Sequence, residues 1–413
     1  MNQRLPTLAK CVEVLEQFLP EAIDLRKKLH SSARVGGQEE CAAQFLAELL
    51  GQGDAPSIAD GRILRFGPAA GRSVALRAEL DALPIVEATD VSWAATNGAM
   101  HACGHDVHLA ALVAVIRTLV FLGTPVPVVA VLQPREETYP CGAPDIIGSK
   151  EWRANDVAAV VAAHIQPALA HGSVSAPPGP VNASSDEFFI RVQGAGGHAA
   201  YPHTLRDPVV AAAAIVSMLQ QLISRRSDPM DHAVISVGSI HGGSAANVIP
   251  EFVDLRGTLR TFSETQRANL ITELETVATH VALAHGCAAE FSIVSGEPVL
   301  TNEESLSKRL APKLRELHFN DSEVLRSCGA DDFAYYGEAA PAVMVFVGTG
   351  DTGSNSPGLH QANFLPGDES IGDIARVLLA GFLAAAEQIL ESGQNSTALA
   401  TTRGGRYGGQ GIQ

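Results

Sequence analysis

Short apolar runs rich in Val and Ala recur along the chain, and each leads into polar or charged residues. Residues 73–78 lead to Glu79 and Asp81, and residues 126–132 lead to Glu136 and Glu137. Residues 157–163 end at His164, and residues 343–347 lead toward His360. Near-continuous apolar runs of this length suit strands buried on both faces. Helical periodicity at 107–122 and 370–390 lies between or after them. Alternation of strand and helix predicts an α/β fold, a mixed sheet covered by helices. Ligands in such folds gather beyond the carboxyl ends of the strands. The acidic residues and histidines fall there.

The segment 183–296 has a different rhythm. A strand at 187–193 precedes a Gly-rich turn and an Ala-rich helix at 208–225, then strands at 233–240 and 252–262 and a helix at 264–285. This order predicts an α+β sandwich with its own sheet, inserted into the first domain. The first domain is then discontinuous, 1–182 with 297–392. Residues 393–413, rich in Gly, Ser, Thr and Gln, are expected to be a disordered tail.

Composition narrows the function. A chain of 413 residues exceeds the usual size of one core, consistent with two domains. Lys plus Arg total 29 against 45 Asp plus Glu, a net charge of -16. Such a surface repels phosphate backbones and anionic lipid, which argues against nucleic-acid and membrane partners. The six cysteines have no framework spacing, so a reducing compartment is expected. The N-terminus reads as an amphipathic helix rather than a signal peptide, and no run approaches about 18 consecutive apolar residues. A cytoplasmic protein is the expectation.

The strongest chemical signal is His101-Ala102-Cys103-Gly104-His105-Asp106-Val107-His108. Thiolate and imidazole suit zinc or a similar divalent ion, and a turn at Gly104 lets Cys103 and His105 project to one centre. A lone buried cysteine is more often a small hydrophobe, but this density favours a metal. Glu136-Glu137 offers a general base beside a ligand carboxylate, as metal-assisted hydrolysis requires. Taken alone, such a pair is commonly a solvated surface. His164 at a strand end suits a ligand and a hydrogen-bonded core residue equally well. His360, in a loop, would be unremarkable by itself, and Asp81 by itself would read as a strand-end cap.

These residues fall within a larger set of motifs. In order they are Arg77-Ala78-Glu79-Leu80-Asp81-Ala82-Leu83-Pro84, Met100–Asp106, Gln133-Pro134-Arg135-Glu136-Glu137, Gly194-Ala195-Gly196-Gly197-His198-Ala199, Pro202-His203, Asp207-Pro208, Asn247-Val248-Ile249-Pro250 and Leu359-His360. Over about residues 20–390 the chain resembles the dinuclear metallo-aminoacylases and carboxypeptidases. The subgroup it resembles contains hippurate hydrolases and plant auxin-conjugate hydrolases. The resemblance implies a zinc-exopeptidase-like catalytic domain with an inserted lid and dimerisation domain. It also implies hydrolysis of an N-acyl amino acid or similar amide at a centre of two divalent ions, zinc or manganese foremost, with cobalt or nickel as substitutes. Cys103, His105, Glu137, His164 and His360 would be the ligands, Glu136 the base, and Asp81 an acid orienting a ligand imidazole. His198 would stabilise the oxyanion, often across a homodimer. Asn247, Arg260 and His203 are the substrate-binding candidates, Arg260 through bidentate pairing with a carboxylate.

The chain departs from the subgroup at three places. Glycines usual after the Glu pair are replaced by Thr138-Tyr139-Pro140-Cys141, which stiffens the loop. Ser31-Ser32-Ala33 replaces a His-Pro-Glu type motif, and Ala330-Asp331-Asp332-Phe333 replaces Ser-Glu-Asp-Phe. These bear on substrate rather than on hydrolysis. A dipeptidase or aromatic-amine hydrolase would use the same centre, and a non-catalytic metal-binding scaffold is the alternative of another class. A zinc nucleobase deaminase lacks its second cysteine here, since Pro140-Cys141 runs into Gly142-Ala143-Pro144. Cysteine nucleophile catalysis at Cys103 is disfavoured because such a base is normally distant in sequence.

Overall fold

Burial on both faces accounts for the apolar character of the central strands. Ser73–Glu79 and Val128–Gln133 are buried at every position, and Ala342–Gly350 at nearly every one. The computed structural model describes residues 4–321, 324–350 and 357–403. The chain forms two compact units, one of residues 1–179, 302–325 and 335–413 and another of 180–301 with 326–334. The inserted domain expected at 183–296 lies within the second unit, which also takes in the 326–334 segment.

In the first unit the described residues form a seven-stranded mixed sheet, ordered 62–66, 128–133, 73–79, 157–170, 342–350, 173–175 and 320–321. The inner strands Ser73–Glu79, Val128–Gln133, Val157–Ala170 and Ala342–Gly350 pair in parallel. Their carboxyl ends therefore point the same way. The edge strand Arg62–Phe66 runs antiparallel to Val128–Gln133. His105–Leu122 is buried nearly all round, as a helix apolar on every side must be. That helix and Pro208–Arg226 are long and apolar enough by composition to cross a membrane, although 78% of the first is buried in the core.

Charge also ties this core together. Arg26 Nε lies 3.0 Å from Asp106 Oδ2, and its other nitrogens reach Asp368 Oδ1 and the Pro366 carbonyl, each at 2.8 Å. His30 Nδ1 is 3.0 Å from the same Asp106 oxygen, and its Nε2 is 3.0 Å from Glu87 Oε1. Burial alone would raise the Asp106 carboxyl, but Arg26 and then His30 hold it well below the usual carboxylate range. The first turn of the 105–122 helix is thus fixed to the Leu19–Ser31 helix and to the 366–368 loop.

The second unit is an antiparallel sheet of four strands, ordered 288–295, 186–193, 252–261 and 233–241. Alternate residues Phe188, Ile190 and Val192 enter one core with Ile215 and Leu219 of the Pro208–Gln221 helix and Leu270 and Leu274 of the Glu264–Ala284 helix. Asp207 caps the first of these helices, accepting from Val209 and Val210 N–H, with Pro208 at the first helical position. The helix ends in a wider π turn at Leu222–Arg226, where a plain α-helix was expected to continue.

One expectation needs correction. The helix starting at Glu369 continues to Arg403, beyond the predicted order boundary at residue 392. Its backbone hydrogen bonds keep a helix where composition pointed to disorder. Residues 404–413 of the expected tail lie outside the described residues.

Removing Arg26 would leave Asp106 charged, buried and held by His30 alone. Arg26→Met is expected to lower stability by about 3 kcal/mol at neutral pH, read by denaturant unfolding. A carboxylate with a depressed folded pKa adds stability above its unfolded pKa and loses it as pH falls. The deficit between variant and parent should therefore narrow on acidification.

Candidate metal centre

Four chain segments supply the site. Gly104 adopts φ +84, which ends the 101–104 turn and lets the helix begin at His105. A Cβ at Gly104 would lie 2.0 Å from Ile165 Cδ1, so the turn sits against the strand that carries His164. Glu136 and Glu137 follow the Val128–Gln133 strand. His360, with φ +64, donates its backbone N–H to the Ala102 carbonyl at 2.9 Å, which ties it to the same turn.

The side chains meet. Donor atoms of Cys103, His105 and Glu137 all lie within 4.8 Å of one another. Cys103 Sγ is 3.5 Å from His164 Nε2, and His360 Nε2 is 3.2 Å from Glu137 Oε1. All the ligands expected from the sequence therefore belong to one cluster. Glu136 lies alongside, with its Oε2 3.9 Å from His105 Nε2.

Tautomers follow from the backbone. His105 Nδ1 donates to the Asp81 carbonyl at 2.8 Å, and His164 Nδ1 donates to the Ile165 carbonyl at 2.7 Å. In its neutral form each ring then has its lone pair on Nε2, facing the cluster. Among the buried atoms without a hydrogen-bond partner are His105 Nε2 and Glu137 Oε1. Glu137 Oε1 is within ion-pair distance of His360 but lacks hydrogen-bond geometry. Burial would lower the His105 imidazole, yet Asp81, Glu79 and Glu137 push it up to about 10. Burial, then the Glu137 and Glu136 carboxylates, push the Cys103 thiol far up. Burial and then His108 lower His164 to about 3, keeping it neutral. Such a site demands positive charge. A thiol, imidazole lone pairs and a carboxylate are a donor set that fits a zinc-like divalent ion.

Asp81 holds two of these groups. Its carbonyl orients His105, and its Oδ2 accepts the Glu137 backbone N–H at 2.9 Å. The histidine-rich segment divides among different tasks. His108 donates from Nδ1 to Glu79 Oε2 at 2.8 Å and accepts the Ile165 N–H on Nε2 at 3.1 Å. Both its nitrogens are thus committed, although Glu79, His105, His108 and His164 also form a buried group of possible ligands. Glu79 pairs with Arg77, and the assembly supports the peptide next to His164. Sequence reasoning missed this support; the signal was a charged pair, two residues apart, within a strand buried on both faces. His101 is fully buried, and desolvation lowers it to about 4.

The other expected site residues lie in the second unit. His198 is exposed on the Gly197–His198 strand opposite Val248–Ile249, and its Nδ1 accepts the Ala200 N–H at 3.1 Å. Asn247 is exposed, and its carbonyl accepts the Ala199 N–H at 3.0 Å. His203 is exposed in the Pro202–Thr204 turn. Arg260 is half-buried in the Phe252–Thr261 strand, opposite Val234. His198 and Asn247 therefore stand on one local framework, whereas Arg260 belongs to the sheet.

An α/β sheet with a cysteine, histidines and paired glutamates beyond its strand ends is the frame of a metal-dependent amidohydrolase. The chain belongs to Peptidase family M20/M25/M40, whose model matches residues 75–394. An N-acetyldiaminopimelate deacetylase of Bacillus velezensis is 33% identical over 371 residues, 87% of this chain and 97% of the relative. An N-acetylcysteine deacetylase of Bacillus subtilis is 32% identical over 347 residues, 81% of this chain and 90% of the relative. Among solved structures, an aminohydrolase of methicillin-resistant Staphylococcus aureus matches with TM-score 0.82 and 28% identity, covering 91% of this chain and 98% of its own. A dinuclear metal-binding peptidase of the M20 family from Bacillus subtilis matches with TM-score 0.77 and 28% identity, covering 91% of this chain and 99% of its own.

Gly104→Ala would strain a left-handed backbone and drive Cβ into Ile165. It is expected to lower the melting temperature and the amount of divalent metal retained after dialysis. Parental values of both would contradict the role given to this turn.

Proposed function

We propose that the chain hydrolyses the amide bond of N-acyl amino acids, releasing a carboxylic acid and an amino acid. The observation that carries this reading is the convergence of Cys103, His105, Glu137, His164 and His360 beside Glu136. Relatives named as deacetylases of N-acetyldiaminopimelate and N-acetylcysteine support the substrate class. Those five residues would hold two divalent ions, zinc or manganese. When bound, the ions polarise the amide carbonyl and lower the pKa of water.

The protein's own groups do the rest. Glu136 takes a proton from the attacking water and delivers it to the departing amine nitrogen. Asp81 keeps His105 in its Nδ1–H tautomer and holds the backbone of Glu137. His198 supplies a donor to the developing oxyanion, while Asn247, His203 and Arg260 bind the substrate's polar end. The acidic surface and scattered cysteines suit a cytoplasmic setting. We assign dimerisation to the second unit, where Val209, Val210 and Met218 on one helix and Ile240 on an edge strand are exposed.

Glu136→Gln is expected to keep parental metal content and lose on the order of a hundredfold or more in kcat. Amine release from a panel of N-acyl amino acids and dipeptides, after loading with zinc, manganese, cobalt or nickel, measures this. Equal turnover in metal-loaded variant and parent would overturn the assignment of the base. A preference for dipeptides over every N-acyl amino acid would replace the substrate class. Sedimentation of the active enzyme as a strict monomer would remove the dimer.

A further inference from the structure

The loop that carries Glu136 has an unusual start. Arg135 has φ +53, a conformation that costs a residue with a side chain about 1–3 kcal/mol unless its surroundings impose it. Two backbone N–H groups that flank Glu136 end on two buried carboxylates. Arg135 N–H donates to Glu39 Oε1 at 2.8 Å, and Glu137 N–H donates to Asp81 Oδ2 at 2.9 Å. Glu39 is completely buried and stands at the N-cap of the Glu40–Leu49 helix, yet its side chain makes no capping hydrogen bond. It reaches to Arg135 instead.

A second contact holds the other end of the loop. A Cβ on Gly36 would fall 2.6 Å from Thr138 Oγ1 and 2.9 Å from Thr138 Cγ2, so the Thr138 side chain rests against the glycine backbone. Val35 bridges to Ala82, and Ala82 N–H donates to the Arg34 carbonyl at 2.7 Å. Residues 34–39 are thereby fixed to the chain beside Asp81 and touch the base loop on both sides of the glutamate pair.

We infer that residues 35–39 are a brace that sets the position of Glu136, with Glu39 as a positioning residue acting through the Arg135 N–H and Gly36 as the seat for Thr138. Among the described residues, neither makes a hydrogen bond or ion pair to the donor atoms of the candidate metal centre. The missing side chain at residue 36 makes the room for Thr138. A base displaced by a fraction of an ångström loses rate while substrate binding and metal binding persist.

The inference rests on Glu136 as the base, so Glu136→Gln is measured in parallel. Each variant is loaded with metal and assayed on the N-acyl amino acid of highest turnover. Glu39→Ala is expected to reduce kcat on the order of ten- to a hundredfold, with KM and bound metal near parental values. Glu39→Gln keeps a carbonyl oxygen to accept the Arg135 N–H and should recover most of that loss. A folded Glu39→Ala enzyme with parental kcat, or a loss of kcat that follows loss of metal, would overturn the brace. So would a Glu39→Gln enzyme as slow as the alanine variant. Should Glu39→Ala fail to fold, Gly36→Ala supplies the test: kcat should fall, and Thr138→Gly in the same chain should restore it. No fall in that single variant, or no recovery in the pair, also overturns it. Full activity in Glu136→Gln would instead remove the base assignment, whereas an inactive Glu136→Gln beside an unimpaired Glu39→Ala removes the brace alone.

Discussion

Buried negative charge has to be balanced, and this constraint organises the first unit. Around Cys103 the chain gathers Glu137, Glu136, Asp81 and Glu79, most of them shielded from water. Without a cation, the surroundings force the thiol to keep its proton and the His105 ring to take one. A divalent ion would reverse both preferences, releasing a thiolate and a neutral imidazole as ligands. The same charges that make the site costly to bury would thus favour a bound cation.

The cost is met by geometry that precedes the metal. Parallel strands deliver Asp81, Glu136 and His164 to the same end of the sheet, because their carboxyl ends are aligned. Backbone carbonyls then fix the rings: Asp81 for His105, and Ile165 for His164. The Ile165 peptide is used at both ends, since its N–H donates to His108 while its carbonyl accepts from His164. Arg77, Glu79 and His108 are consequently part of the support for His164, the proposed ligand. On the opposite side, Arg26 and His30 hold Asp106 and so the start of the His105 helix.

The layered fold was legible because its signal is local. Apolar runs of strand length and helical periodicity appear in the residues themselves, and Asp207-Pro208 marks a capped helix start. The proposed ligand set was visible only through the order of the motifs. His360 is a loop residue 196 positions after His164, and no periodicity links them. What sequence left hidden were partnerships between distant segments, such as Glu39 with Arg135 and Gly36 with Thr138. A buried glutamate at a helix start reads as an ordinary cap until its partner is seen. The long final helix was hidden for a different reason: a Gly- and Ser-rich composition describes average tendency, while the helix before it propagates hydrogen bonds into such residues.

The same reasoning changes what the family motifs mean. In Gly194-Ala195-Gly196-Gly197 the glycines look like a flexible hinge beside His198. The structure gives them closer work. A Cβ on Gly194 would lie 2.1 Å from the Arg206 carbonyl, and one on Gly196 would lie 2.6 Å from the Ile249 carbonyl. Backbone from the 206 and 249 regions therefore packs directly onto this segment, and Asn247 accepts the Ala199 N–H next to it. The motif glycines, Asn247-Val248-Ile249-Pro250 and the 202–208 turn are three sides of one framework around His198. Their spacing in sequence has no obvious chemistry. Their meeting in space makes them a closely packed mount for the exposed His198 imidazole.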